Sequence, residues 1–242
     1  MKRVRFIDIS LSLFCLLGLV SPVGAAEEGA PDLIEVHYDA SALTPYRDRV
    51  SSWSAISQIQ VKSIKPEDFR SRIGGETFQQ MFGDHHILIP TLSVGSQYNT
   101  AVGGLSLEAQ YGVGSIESER LGTRRLALSQ YGISATFVLD KLMPEPLFAP
   151  YFAGDLFIAS WEESDSTTTL SGENSYALGY RLGILFQLNA LDSSTALTAF
   201  NSSGLENTYL DIFASQTNTS NKSSDVQLKS PMTIGAGIKL QF

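Results

Sequence analysis

In the final stretch of the chain, "SPMTIGAGIKLQF", apolar residues occupy every second position. Met232, Ile234, Ala236, Ile238, Leu240 and Phe242 alternate with Thr233, Gly235, Gly237, Lys239 and Gln241, which are small or polar. A period of two predicts a β-strand with one face in an apolar medium. The pattern recurs upstream. "GLSLEAQYGVG" sets Leu105, Leu107, Ala109, Tyr111 and Val113 against Ser106, Glu108 and Gln110, and "QYGISATFVL" sets Tyr131, Ile133, Ala135 and Phe137 against Gln130, Ser134 and Thr136. "YALGYRLGILFQL" and "SSWSAISQIQVKSI" alternate in the same way, while "HILIPTLSVGSQY" and "LFAPYFAGDLFIASW" do so less strictly. "LENTYLDIFAS" is the weakest, because Phe213 breaks the alternation and reads as a bulge or rim residue. Helical periodicity is weak, and the glycines of "EDFRSRIGGETFQQMFGDHH" predict an irregular loop with at most a helical turn.

The polar faces decide which apolar medium the other faces meet. A soluble β-sandwich turns its polar faces to water, where Lys and Glu dominate. Here those faces hold Gly, Ser, Thr and Gln with isolated charges such as Glu108, Asp155, Arg181 and Lys239. Small residues with sparse charge suit the crowded interior of a narrow closed barrel. Trp53, Tyr98, Phe148, Trp161, Tyr176 and Phe242 fall near strand ends, as rings at a membrane interface do. The expectation is an all-β fold: a closed antiparallel up-and-down transmembrane β-barrel of about eight strands.

Connection lengths agree. Counting back from a periplasmic C-terminus makes "QTNTSNKSSDVQLKSP", "EESDSTTTLSGEN" and "SIESERLGTR" external, and the short "NTAVGG" and "DKLMPEP" periplasmic. The long "ALDSSTALTAFNSSG" breaks the rule on the periplasmic side; a short helix would accommodate it.

The opposite end supplies the export route. Lys2, Arg3 and Arg5, an apolar run from Leu11 to Val20, and Gly24-Ala25-Ala26 predict a signal peptide over residues 1–26. Residues 27–50 then form a periplasmic extension or plug, with "IEVHYDA" as an extra strand, and residues 51–242 form the barrel. Cleavage removes Cys15, so no thiol chemistry or disulfide is expected. It also lowers the formal charge from −8 to −10, since three basic residues and one acidic residue leave with it. Nucleic-acid binding is not expected of so acidic a chain.

At this point the chain resembles the small, about eight-stranded outer-membrane β-barrel proteins of Gram-negative bacteria. In that family a terminal Phe, with apolar residues at every second position before it, is what the barrel assembly machinery reads. The resemblance therefore implies that Phe242, Leu240, Ile238, Ala236 and Ile234 are an assembly signal. It further implies an outer-membrane location among lipid and lipopolysaccharide, and leaves the oligomeric state open.

Chemistry is sparse. Glu108, Asp155, Arg181, Asp211 and Lys239 are expected to point inward, with Arg181 pairing Glu108 and Asp155, because buried charge needs a partner. Such a network either fills the interior or gates a narrow pore. A lipid-cutting site would need His, Ser and an acid on the outward rim; Asp84, His85 and His86 are the nearest approach, and they match no motif. Adjacent histidines on a strand face opposite sides, so they do not make a metal site. Glu162, Glu163, Asp165 and Glu173 read as a solvated acidic loop, with Ca²⁺ or lipopolysaccharide bridging as the sharper alternative. No catalytic, cofactor or metal residues are assigned. The expected role is non-enzymatic, in envelope integrity or surface interaction; a narrow pore for small or apolar solutes is the alternative, and a lipid-modifying enzyme a third.

Overall fold

A computed structural model describes residues 45–118, 123–218, 220, 222 and 225–242. Nine strands follow in order: β1 Trp53–Ile64, β2 Ile87–Asn99, β3 Gly104–Ser118, β4 Arg124–Val138, β5 Phe148–Ser164, β6 Thr169–Glu173, β7 Ala177–Gln187, β8 Asn207–Thr217 and β9 Ser230–Gln241. Three short helices intervene: α1 Tyr46–Arg49, α2 Phe78–Phe82 and α3 Ser193–Ser203. Every strand pairs antiparallel with its neighbours, and β1 closes on β9 from Ile56↔Gln241 to Lys62↔Gly235. The result is an eight-strand closed barrel. β6 stands outside the ring and returns along the distal end of β5, from Ser160↔Glu173 to Ser164↔Thr169.

Barrel strands of 11 to 17 residues exceed the ~9–11 that a tilted strand needs to cross a bilayer. Phe242 is held at one rim, exchanging two backbone hydrogen bonds of 2.8 Å with Ala55. That rim, called near here, also receives α1 and the β2–β3, β4–β5 and β7–β8 connections; the other connections lie at the far rim. No described helix is long and apolar enough to span a membrane.

The face pattern follows the period-two reading closely, with local departures. Phe213 is neither bulge nor rim. It points inward and is buried, in the space that glycine leaves at position 235; a Cβ there would fall 2.3 Å from its ring. The register shift in β8 lies further on, between Ser215 and Thr217. Trp161 is not an interface ring either: it packs half-buried against the apolar cluster inside the far end. "ALDSSTALTAFNSSG" contains the helix α3. "IEVHYDA", His37 and the signal-peptide segment lie outside the described residues.

Candidate functional site

β7 alternates outward Leu178, Tyr180, Leu182 and Ile184 with inward Gly179, Arg181 and Leu185, so its one charge falls in the lumen. There the Arg181 guanidinium makes two parallel bonds to Asp155, Nε–Oδ2 at 3.0 Å and Nη2–Oδ1 at 3.1 Å. It also donates to Ser134 Oγ at 2.7 Å and, from Nη1, to Gln60 Oε1 of β1 at 2.8 Å. A fork shared between β5, β4 and β1 ties opposite walls together. Bidentate charge-assisted bonds of this kind are stronger than neutral ones.

The other inward charges take different partners. Glu108 accepts from Ser106 Oγ at 2.9 Å, Ser93 Oγ at 3.1 Å and Thr136 Oγ1 at 3.4 Å. Lys239 donates to Gln97 Oε1 at 2.9 Å, and Asp211 accepts from Gln58 Nε2 at 2.6 Å and Tyr151 OH at 3.1 Å. Lys62, whose place in the lumen its alternation implies, lies 5.4 Å from the Phe157 ring centre. Thus Glu108, Asp155, Arg181 and Lys239 all lie buried in the barrel, and among them Arg181 and Asp155 form an ion pair. Between them is a void of about 10 Å³, lined by Gln58, Glu108, Arg181, Asp211 and Lys239 among others. That is at most the room one water needs.

Toward the far rim the interior turns apolar. Ile64, Ile87, Ile89, Leu126, Leu128 and Phe157 face inward from four strands. The β1–β2 connection folds over them and inserts Phe69, Phe78, Met81 and Phe82, each at most 1% exposed. α2 can start there because Thr77 and Gln80 form a reciprocal capping box. Polar clips hold the cover down. Glu163 of β5 accepts from Ser71 Oγ at 2.5 Å and Arg72 N at 2.8 Å, and Arg124 pairs with Glu76 at 3.3 Å and Asp165 at 3.5 Å. Glu163 is therefore a buried latch rather than part of a solvated acidic loop. Sequence reasoning missed this half of the barrel; the signal was the inward Ile and Leu at the ends of β1, β2 and β4, matched by the aromatics between β1 and β2.

At the near rim α1 closes the opposite mouth. Tyr46 is fully buried and donates from its hydroxyl to Asp140 at 2.8 Å and to Gln241 at 3.1 Å. Arg49 pairs with Glu145 at 3.2 Å, and Glu206 accepts from Ser51 N at 2.9 Å, Ser54 Oγ at 2.7 Å and the Ser51 hydroxyl. Burial pushes the Asp140 carboxyl up from its ordinary value, with the Tyr46 hydrogen bond opposing.

Outside, each barrel strand contributes to a continuous exposed apolar band, for example Ile59, Leu92, Tyr111, Tyr131, Leu156, Leu182, Ile212 and Ile238. Soluble monomers rarely expose more than a few hundred Å² of contiguous apolar surface; an encircling band suits hydrocarbon. Trp53 and Tyr98 meet at the near rim with ring centres 5.0 Å apart, and Phe148 and Phe242 are exposed elsewhere on the same rim. At the far rim Ser63 Oγ and His86 Nδ1 lie 2.7 Å apart on the outward face, Asp84 pairs with Lys65 at 3.0 Å, and His85 is exposed. Among the described residues no cluster of His, Cys, Asp or Glu has metal-site geometry.

No protein-family model and no curated protein matches the chain. Among solved structures it is similar to Neisserial surface protein A, at 14% identity and a TM-score of 0.47, over 79% of this chain and 98% of that one. The outer membrane protein OprG of Pseudomonas aeruginosa is similar at 12% identity and a TM-score of 0.47, over 79% and 96%. The attachment invasion locus protein Ail of Yersinia pestis is similar at 12% identity and a TM-score of 0.42, over 80% and 100%.

Proposed function

We propose that the chain is a non-conducting, non-enzymatic outer-membrane β-barrel that serves envelope integrity or presents its far-rim surface to partners. The near rim then faces the periplasm and the β1–β2 cover faces outward. The observation that carries this reading is the closed lumen: apolar side chains fill one half, a charged network fills the other, and α1 stands in the near mouth. Lipid and lipopolysaccharide are the partners of the outward wall. The terminal strand from Ile234 to Phe242 is the part the barrel assembly machinery would engage.

Planar-bilayer recording tests the central claim. The reading expects no discrete currents across a range of voltages, and reproducible single-channel steps from purified wild-type protein would replace it with the narrow-pore alternative. A lipid-modifying role has the Ser63–His86 contact in its favour. It requires that fatty acid be released from phospholipid or lipopolysaccharide by the wild type and not by Ser63→Ala; the non-enzymatic reading expects no release from either.

A further inference from the structure

The β7–β8 connection is long where its neighbours are short, and it carries no charge between Asp192 and Glu206. α3 forms within it because Asp192 caps the first turn, accepting from Thr195 N at 3.0 Å, and Gly204 ends it in the left-handed region at φ 69°. Just before the cap stands Leu191, 83% exposed. Leu197 and Phe200 of α3 are only half-buried.

Leu191 has counterparts around the same rim. Val102 in the β2–β3 turn, and Leu142, Met143 and Leu147 in the β4–β5 turn, are exposed as well. The described connections at the far rim expose only Leu170 and the ring of Tyr176 as large apolar side chains. The asymmetry is one of position, since all three near-rim connections share it. These residues also continue the outward apolar band: Leu147 leads directly into Phe148, and Leu191 follows Phe186 and Leu188 out of β7.

From this continuity we propose that the near rim is sunk into the inner leaflet, with Leu191 and the uncharged helix α3 as a membrane-interface anchor. This rests on the membrane reading above. Lipid is the occupant because the exposed side chains are spread over three separate turns and run on from the outward band, where a protein partner would need them gathered in one patch. The unusual length of the connection then has a purpose: a helix lying in the interface widens the barrel's footing at a rim where the other turns offer only Val102 in one and Leu142, Met143 and Leu147 in the other.

The test attaches an environment-sensitive fluorophore to single cysteines in the full chain carrying Cys15→Ser, reconstituted in phospholipid vesicles. Sites are Leu191→Cys, Ile238→Cys in the outward wall and Glu117→Cys at the far rim. Folding of each variant is checked by heat-modifiable gel mobility; Leu191 is so exposed that its replacement removes few contacts. Lipid-borne quenchers are expected to act at position 191 within about twofold of their effect at 238, and iodide to act strongly only at 117. Quenching at 238 but not at 191, with iodide reaching 191 freely, would overturn the anchor while leaving the barrel in the membrane, and would favour a periplasmic protein on this rim. Absence of lipid quenching at 238 would overturn the membrane reading and the anchor together.

Discussion

Arg181 and Asp155 face each other across adjacent strands as a fork on a carboxylate, with the two contacts at 3.0 and 3.1 Å and both side chains under a tenth exposed. A pair so enclosed is held by its geometry, and removing one member strands the other. Asp155→Ala is expected to cost about 3–5 kcal/mol in reversible urea unfolding in lipid or detergent. The double change Asp155→Leu with Arg181→Met, which leaves no orphaned charge, should be markedly less harmful than Asp155→Ala. Equal losses from the single and the double would show that packing volume, and not the stranded guanidinium, sets the cost.

Gly235 and Phe213 occupy one interior space between β9 and β8. A Cβ at position 235 would meet the ring at 2.3 Å and the Val61 carbonyl oxygen at 2.8 Å. Gly235→Ala should therefore destabilise the barrel by about 1–3 kcal/mol, an overpacking cost. Phe213→Leu should recover part of that loss by freeing the ring's volume, and a double-mutant cycle measures the coupling directly. Strict additivity would mean that the two positions do not share the space.

The barrel was legible because its signal is repeated: each strand carries the same period, and outward Ile238 or Leu182 differs in kind from inward Lys239 or Arg181. Partners were less legible. Glu108 and Asp155 look alike in the sequence, yet register places Asp155 beside Ser134 and within reach of Arg181, while Glu108 meets Ser93, Ser106 and Thr136. Pairing across a closed ring depends on stagger, which periodicity does not encode. The far-rim cover was hidden for another reason. Phe78, Met81 and Phe82 share one face of α2 at i, i+3 and i+4, but a helix of little more than one turn is too short for that spacing to stand out, and Phe69 lies in irregular backbone before it. Trp161 was misread on its residue type: near a strand end an aromatic ring serves an interface or a core equally well, and only the face it points to decides.

Glu163 joins β5 to the β1–β2 cover through Ser71 and Arg72. In Glu163→Ala those donors lose their acceptor, while the buried Phe69 and Phe82 still favour the closed cover. Hydrogen–deuterium exchange of residues 65–86 should rise by about tenfold or more, the equivalent of one lost charge-assisted bond, with the barrel strands unchanged. Protection unaltered in the cover would mean that the aromatics alone hold it.

The α1 contact carries a pH dependence whose sign follows from burial. Asp140 sits under Tyr46 at the near mouth, near Lys239 and Lys141, and desolvation raises its carboxyl above the ordinary carboxylate value despite the Tyr46 hydroxyl. A raised folded value means the neutral acid is favoured in the closed state. The contribution is fully present below the ordinary carboxylate range and is lost as pH rises through the raised value. Exchange protection of residues 46–51 should consequently be greatest at mildly acidic pH and weaken toward neutrality. Asp140→Asn, which keeps an acceptor for Tyr46 but cannot ionise, should hold the acidic level of protection at neutral pH and flatten the profile. A profile that weakens toward acid would overturn the assignment of this dependence to Asp140.

Asp192 presents the opposite sign at the same rim. Exposed at the start of α3, it accepts from the backbone N–H of Thr195 and from the Thr195 and Ser194 hydroxyls, and these bonds hold its carboxyl down at about 2. A depressed carboxyl stabilises the helix above the ordinary carboxylate value and releases that contribution as pH falls through the depressed one. Protection of α3 should thus persist through the mildly acidic range in which α1 tightens, and fade only toward pH ~2. Asp192→Ala should loosen α3 at every pH, whereas Asp192→Asn should retain much of the cap and remove its titration. Comparing the two helices within one exchange experiment separates local carboxyl chemistry from global acid unfolding, because global unfolding would move both in the same direction.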